Sequence, residues 1–355
     1  MVEESKRGEI WDEGLRLAPW HLNVRIAPDL ETRDFYEAGP PPTNSFYDPA
    51  LRIKPLLRSI YPDRIDGKSV LDCACNNGAF LFAVREMGAG RCLGTDVREH
   101  WVEQARFLAR HRGESDDLTF KVLDLYDLPT LGLEPFDITI FAGIFYHLPD
   151  PIRGLQIAAD LARELIFVSS MARSSQPDGL LAVDEESMED PLYGVYGLNW
   201  HPTGPEVIRR MLEHMGFVET RCCRWRMSKH PGTDFVQVVG ARTEGGLAHF
   251  DADHQSLLDR VELNVQPRST ILVTTLGQDR LRSIDSREVW QFPRDANGNH
   301  DPTLDGDAGA LADHLEQLRS EGADYLLVPR FALPWLEQHA EFRDFLARSF
   351  RAGRR

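Results

Sequence analysis

The chain has 355 residues, a formal net charge of −16 and 42% hydrophobic residues. That composition sets disorder aside, leaves room for two or three domains, and argues against charge-driven binding to nucleic acid or an anionic membrane, which needs a Lys/Arg excess. The polar N-terminus "MVEESKRGEIWDEG" predicts no signal peptide, "ITIFAGIF" is too short for a membrane span, and five cysteines without zinc-site spacing fit a reducing, cytoplasmic setting and no metal.

Residues 1–50 carry little periodicity and read as an N-terminal arm or cap. In them "PWHLNVRI" suggests a short strand and the Pro-rich "AGPPPTNSFYDP" a loop. Strands and helices alternate over 51–243. The strands are "KSVLDCA", "RCLGTDV", "LTFKVLDL", "FDITIFAG" and "ELIFVSS", and the intervening helices include "GAFLFAVREMGA" and "EHWVEQARFLARH". "DPIRGLQIAADLAR" is a further helix, with Asp150 as N-cap and Pro151 as its first residue. Repeated βα units of this length predict a doubly wound, mostly parallel α/β sheet with right-handed crossovers.

Residues 171–202 break this rhythm with a long, aromatic insert, and its "DEES" run reads as a solvated face. "TGPEVIRRMLEHMGF" then predicts a helix with a Thr203–Glu206 capping box, followed by two final strands, "VETRCCRWRM" and "DFVQVVGAR", expected to lie antiparallel to each other. A linker over 244–269 leads to a small α/β domain of its own, 270–355, and no internal repeat is visible.

The chemistry concentrates at successive strand ends. Asp72 closes the first strand and is followed by Ala74, Asn76 and Gly78. Asp96 and Val97 end the second strand, Asp124 and Leu125 follow the third, and Gly143 follows the fourth. Ligands of open α/β sheets sit at the carboxyl ends of the strands, so these residues are expected to converge. A carboxylate at 96 suits a ribose diol. The loop lacks G-x-G-x-x-G, which speaks against a pyrophosphate-bearing dinucleotide. Ala74 is tolerable where backbone passes close to a ligand if its φ is negative, and Asn76 is among the residues best able to adopt positive φ.

The run D-x-A-x-N-x-G, read with "FDITIFAGIFYHLPDP", resembles the motifs of class I S-adenosylmethionine (SAM) methyltransferases over roughly 51–243. The resemblance implies a Rossmann-like, seven-stranded, mostly parallel sheet with SAM as cofactor. The 72–78 loop would cradle its methionine part, Asp96 would hold the ribose and Asp124 with Leu125 the adenine, with Val97 and Gly143 also at the cofactor site. "CNNG", "FYHLPDP" and "NWHPT" are similar to the group that includes tRNA wobble-uridine carboxymethyltransferase-like proteins and various sugar and natural-product methyltransferases. "ADYLLVPRFALPWLEQHAEFRDFL" resembles a module attached to bacterial glycan-modifying enzymes.

His147, just past the fourth strand, is the candidate general base, because an alcohol acceptor must lose its proton and imidazole titrates near neutrality. Tyr146, Tyr193, Tyr196, Asn199, Trp200 and His201 are candidates for the substrate wall. A metal held by His147, His201 and insert carboxylates would suit a metal-dependent sugar methyltransferase, but no ligand spacing supports one. The expected function is methyl transfer from SAM to a hydroxyl of a sugar, glycan precursor or natural product. The rivals are a tRNA wobble-uridine modifier and a non-catalytic assembly protein. The expected partner is a small molecule or glycan, not nucleic acid or membrane, and a homo-oligomer is compatible with the sequence.

Overall fold

The computed structural model describes residues 4–39, 48–61, 65–173, 177–189, 194–226, 233–250, 257–258, 260–261, 264–266, 268–276, 281, 284, 287–304 and 306–350. The chain divides into two units, Met1–Ser256 and Leu257–Arg355.

Residues 4–39 carry more regular structure than their sequence suggests. They form helix α1 (Glu4–Arg16), a small hairpin of β1 (Arg25–Ala27) and β2 (Leu30–Glu31), and α2 (Thr32–Ala38). α3 (Ala50–Ile60) leads into the alternating region. Aromatic residues fix this arm. Trp20 and Phe35 are fully buried, 5.5 Å apart between ring centroids, and Phe35 meets Phe107 edge-on at 6.3 Å. Trp20 Nε1 donates to Gly14 O (2.8 Å), so the indole is buried without leaving its N–H unsatisfied.

Apolar runs flanked by turn residues then form β3 (Val70–Cys73), α4 (Ala79–Glu86), β4 (Cys92–Asp96), α5 (Glu99–Arg112), β5 (Leu118–Val122), β6 (Phe136–Ala142), α6 (Pro151–Asp160) and β7 (Ala162–Arg173). Every residue of β3 and β4 is buried, as strands covered on both faces require. Two strands within the 174–202 insert follow, β8 (Leu181–Glu185) and β9 (Leu198–Pro202). Then come α7 (Pro205–His214), β10 (Glu219–Arg226) and β11 (Thr233–Ala241).

The main sheet has seven strands in the order β10-β11-β7-β6-β3-β4-β5. β11 runs antiparallel to both neighbours, and the other pairs are parallel. One face packs on Ile53, Leu57, Phe80, Phe82 and Phe107, the other on Phe141, Leu155, Ile208 and Phe217. The winding reverses between β3 and β6, and a crevice at the carboxyl ends of these strands is where such sheets hold ligands.

Helix starts follow the sequence in one case and depart from it in another. Asp150 caps α6 as expected, accepting from Arg153 N at 3.1 Å ahead of Pro151. α7 has no Thr203–Glu206 capping box, because Thr203 Oγ1 is turned to Pro177 O (2.7 Å) and Glu206 binds Arg209 and Arg210. Asp178 supplies the acceptor instead, taking Glu206 N at 3.2 Å. The insert is also less irregular than expected, since β8 and β9 pair antiparallel from Leu181↔Pro202 to Glu185↔Leu198.

The second unit holds a parallel three-stranded sheet of β12 (Thr270–Val273), β13 (Glu288–Gln291) and β14 (Tyr325–Leu327), in the order β13-β12-β14. Helix Ala308–Ser320 packs on it through Leu311, Leu315 and Leu318. Two short helices, Leu333–Gln338 and Ala340–Ser349, follow, separated at His339. Among the described residues no helix is long and apolar enough to cross a membrane.

Candidate active site

The loop after β3 keeps the shape of a glycine loop with only one glycine. Ala74 (φ +59°), Asn76 (φ +51°) and Gly78 (φ +80°) are all left-handed. Ala74 therefore does not meet the condition of negative φ under which its methyl group is tolerable there. A left-handed L-residue costs roughly 1–2 kcal/mol, so the backbone at 74 is strained. At Gly78 a Cβ would come within 2.6 Å of the Phe120 ring, so space as well as φ demands glycine. Ala74→Gly is expected to raise stability by up to about 1 kcal/mol, the strain relief outweighing the added freedom of the unfolded chain. Ala74→Val is expected to lower it. Thermal denaturation of both variants checks this, and a lower melting temperature for the glycine variant would contradict the strain.

Asp96 ties the loop to the next strand. Its Oδ2 accepts from Asn76 N (2.9 Å) and its Oδ1 from Arg98 N (3.0 Å), while Cys75 N donates to Thr95 O (2.9 Å). Burial pushes the Asp96 carboxyl up to about 6, although the backbone N–H groups of Arg98 and Asn76 favour its ionised form. Beside it, Asp72 is 1% exposed, and its buried Oδ2 has no hydrogen-bond partner among the described residues. Burial, and then the negative charge of Asp96, hold the Asp72 carboxyl well above the carboxylate range.

Asp124 caps a seven-residue 3₁₀ segment, Leu125–Leu131, by accepting from Tyr126 N (2.9 Å). Its other oxygen takes the hydroxyl of Tyr196, from the insert. Burial and that carboxylate push the Tyr196 phenol upward, so it stays protonated and donates. Leu125 is buried, Val97 is 42% exposed, and Gly143 (φ +72°) has open space where a Cβ would stand.

Past β6, the turn Phe145–His147 carries the rim. His147 Nδ1 lies 2.6 Å from Oε1 of Glu186, whose side chain is 1% exposed. Gly194 N also points at Nδ1 from 3.2 Å. Nδ1 cannot both accept from Gly194 N–H and donate to Glu186, and the shorter contact, to an acidic side chain, places a proton on Nδ1 that is donated to Glu186, leaving Gly194 N as a close neighbour. The ring of Tyr146 lies 4.1 Å from that of His147 and stacks on His201 (5.4 Å, 16° between planes). His201 is buried, and burial followed by the charge of Arg173 lowers its pKa to about 4, so it is neutral at pH 7.

Residues 65–211 match the family model described as a methyltransferase domain. The chain carries a methyltransferase domain. It is similar to the tRNA U34 carboxymethyltransferase of Campylobacter hominis, 35% identical over 92 residues that make up 26% of this chain and 31% of that protein. The enzyme of the same description from Pseudomonas fluorescens is 26% identical over 162 residues, 44% of this chain and 48% of its own length. The chain thus matches less than half the length of each of these relatives. Among solved structures, the N-terminal domain of EvdMO1 in the presence of SAH and D-fucose superposes with a TM-score of 0.52 at 23% identity, covering 66% of this chain and 96% of that one. At that identity the likeness is one of fold.

The methyltransferase domain gathers Asp72, Ala74, Asn76, Gly78 and Asp96 around one loop, and the chemistry of that loop fits SAM. Among the described residues the buried Asp72 carboxyl keeps one oxygen without a partner, and a cation beside it would favour its ionised form; SAM offers both an ammonium and a sulfonium. Each oxygen of Asp96 accepts one backbone N–H and keeps lone-pair capacity for a hydroxyl of a ribose diol. Of the wall candidates, Tyr146 and Asn199 are half-buried at the rim, and Tyr196 is engaged with Asp124. His201 lies beneath Tyr146, Trp200 is half-buried with Nε1 lacking a partner, and Tyr193 falls outside the described residues. Among the described residues, no group of three or more His, Cys, Asp or Glu side chains forms a metal-binding set. Glu186 is the residue that the sequence hides. The "DEES" run reads as a solvated face, but Glu186, just past β8, turns inward. Its only signal in the sequence is its position one residue beyond an alternating strand.

Proposed function

We propose that the methyltransferase domain of this chain transfers the methyl group of SAM to a hydroxyl of a sugar, glycan precursor or natural product. The observation that carries this reading is a juxtaposition at one sheet edge. The buried Asp72 and the diol acceptor Asp96 lie at the ends of β3 and β4. His147, with no described residue hydrogen-bonded to its Nε2, lies just beyond the end of β6. When bound, SAM supplies a methyl group already activated for in-line displacement, so the protein's task is alignment, exclusion of water and removal of one proton. Asp72 and the strained loop hold the amino-acid end, and Asp96 orients the ribose. Tyr196, drawn onto Asp124 by the insert, closes the side of the third strand. His147 Nε2 would take the acceptor proton as the new O–C bond forms and the methyl C–S bond breaks, the demethylated thioether being the leaving group.

A carbohydrate acceptor is favoured by the likeness of 270–355 to a module of glycan-modifying enzymes, and a solved fold neighbour was crystallised in the presence of D-fucose. The names of the matching relatives favour a second reading, tRNA modification. The net charge of −16 weighs against it. One experiment separates them. Methyl-labelled SAM is incubated with the full chain and, in parallel, with hexoses, deoxyhexoses, nucleotide-linked hexoses and bulk tRNA. Label is expected in a sugar fraction. Label in tRNA alone would replace the first reading by the second. If neither SAM nor its demethylated product (SAH) shifts the melting temperature, both enzymatic readings fall.

A further inference from the structure

We infer that Glu186 is a positioning residue, supplied by the insert, that fixes the tautomer and orientation of His147. The inference rests on the reading of His147 as general base and extends it to a residue outside the βα core of the domain.

Burial comes first. A carboxylate with 1% side-chain exposure loses most of its hydration, which costs several kcal/mol unless a partner compensates. An apolar side chain would pack there at no such cost. The compensation comes from the rim. Oε1 lies 2.6 Å from His147 Nδ1, and with its amide oriented to its surroundings Asn199 Nδ2 donates to the same oxygen (3.3 Å) and to Tyr146 O (3.0 Å). Asn199, expected to touch substrate, is therefore engaged with the carboxylate and with the backbone of the turn that carries His147.

The surrounding backbone leaves little freedom. Glu186 N donates to Gly197 O (3.0 Å), closing the end of the β8–β9 hairpin. Gly194 is packed so closely that a Cβ there would lie 2.7 Å from Glu186 Oε2 and 2.9 Å from His147 Cβ. β9 packs against the Phe145–His147 turn itself. The imidazole is held from one side by a carboxylate on its Nδ1–H, which leaves Nε2 as the basic nitrogen. Its side chain retains 12% exposure. During transfer the acceptor O–H bond breaks, its proton moves to Nε2, and the imidazolium that forms is stabilised by the negative charge of Glu186. A carboxylate orienting a histidine base in this way sets which nitrogen receives the proton.

The test uses Glu186→Gln, Glu186→Asp and His147→Ala in the full chain. Heteronuclear NMR of the imidazole nitrogens, with the His147 signals assigned from the alanine variant, reads the tautomer and needs no acceptor. Wild type is expected to carry the proton of neutral His147 on Nδ1, and Glu186→Gln to shift population to the Nε2–H form. On the acceptor found in the sugar panel, Glu186→Gln is expected to lower kcat roughly 100-fold, with KM and SAH affinity within about twofold of wild type. Glu186→Asp is expected to restore part of the rate. If the tautomer and kcat of Glu186→Gln match wild type while His147→Ala has lost turnover, the positioning role is wrong and the base reading stands. If His147→Ala turns over normally, the base reading itself is wrong. Loss of SAH binding in Glu186→Gln in parallel with kcat would make Glu186 a packing residue and overturn the inference.

Discussion

Replacing Asp96 by alanine is expected to weaken SAH binding roughly tenfold or more, because it removes the acceptor for a ribose diol and leaves those hydroxyls desolvated without partners. The same change frees Asn76 N and Arg98 N, which Asp96 holds at 2.9 and 3.0 Å, so the loop loses one of its ties to β4 and keeps the backbone bond from Cys75 N to Thr95 O. Asp96→Asn keeps one acceptor oxygen and is expected to fall between alanine and wild type. Calorimetric titration with SAH measures all three, and unchanged affinity in the alanine variant would remove Asp96 from the cofactor site. A pH dependence accompanies this. The folded-state pKa of Asp96 is raised to about 6 from an ordinary 3.8, so the folded chain binds more protons than the unfolded one across that window. This group therefore favours folding at the acid end, and its contribution is lost as pH rises through about 6. Ribose hydroxyls donate to the ionised form, so the SAH-induced rise in melting temperature is expected to grow over the same interval. A shift that shrinks with rising pH would contradict the assignment.

The fold was legible because its signals are local. Buried parallel strands need unbroken apolar runs, as in "SVLDC" and "DITIFA", and carboxylates at 72, 96 and 124 stand out where such runs stop. Asp150 before Pro151 announces a helix start in two adjacent residues. What stayed hidden depends on contacts distant in sequence. The sign of φ at Ala74 is set by ties between the loop and β4, not by the methyl side chain. Thr203 and Glu206 have the spacing of a capping box, but Pro177 and Arg209 hold better partners for them, and Asp178 takes over the cap. Glu186 looks like its acidic neighbours until hairpin pairing fixes which way it turns. The arm was misjudged for the same reason, since Trp20 and Phe35 are core residues only once α5 brings Phe107 to meet them.

Replacing His147 by alanine is expected to lower kcat by roughly 100- to 10,000-fold, the range a positioned general base supplies, while SAH affinity stays near the wild-type value. The separation follows from place. His147 lies beyond the end of β6, is bonded to Glu186 and packs beside Gly194 and the ring of Tyr146. Of these contacts, none is to the 72–78 loop or to Asp96. The cost to the fold is limited in one respect and real in another. The imidazole keeps 12% exposure, so its removal opens little core, but it leaves the Glu186 carboxylate buried with Asn199 as its remaining side-chain partner among the described residues. A His147→Ala/Glu186→Gln double variant relieves that charge. It is expected to recover melting temperature lost by the single variant without recovering turnover. Stability and chemistry thereby separate in one pair of proteins. Turnover equal to wild type in the alanine variant would make His147 a packing residue of the rim. A rate that returns in the double variant would mean that the loss had come from the unpaired Glu186 and not from a missing base.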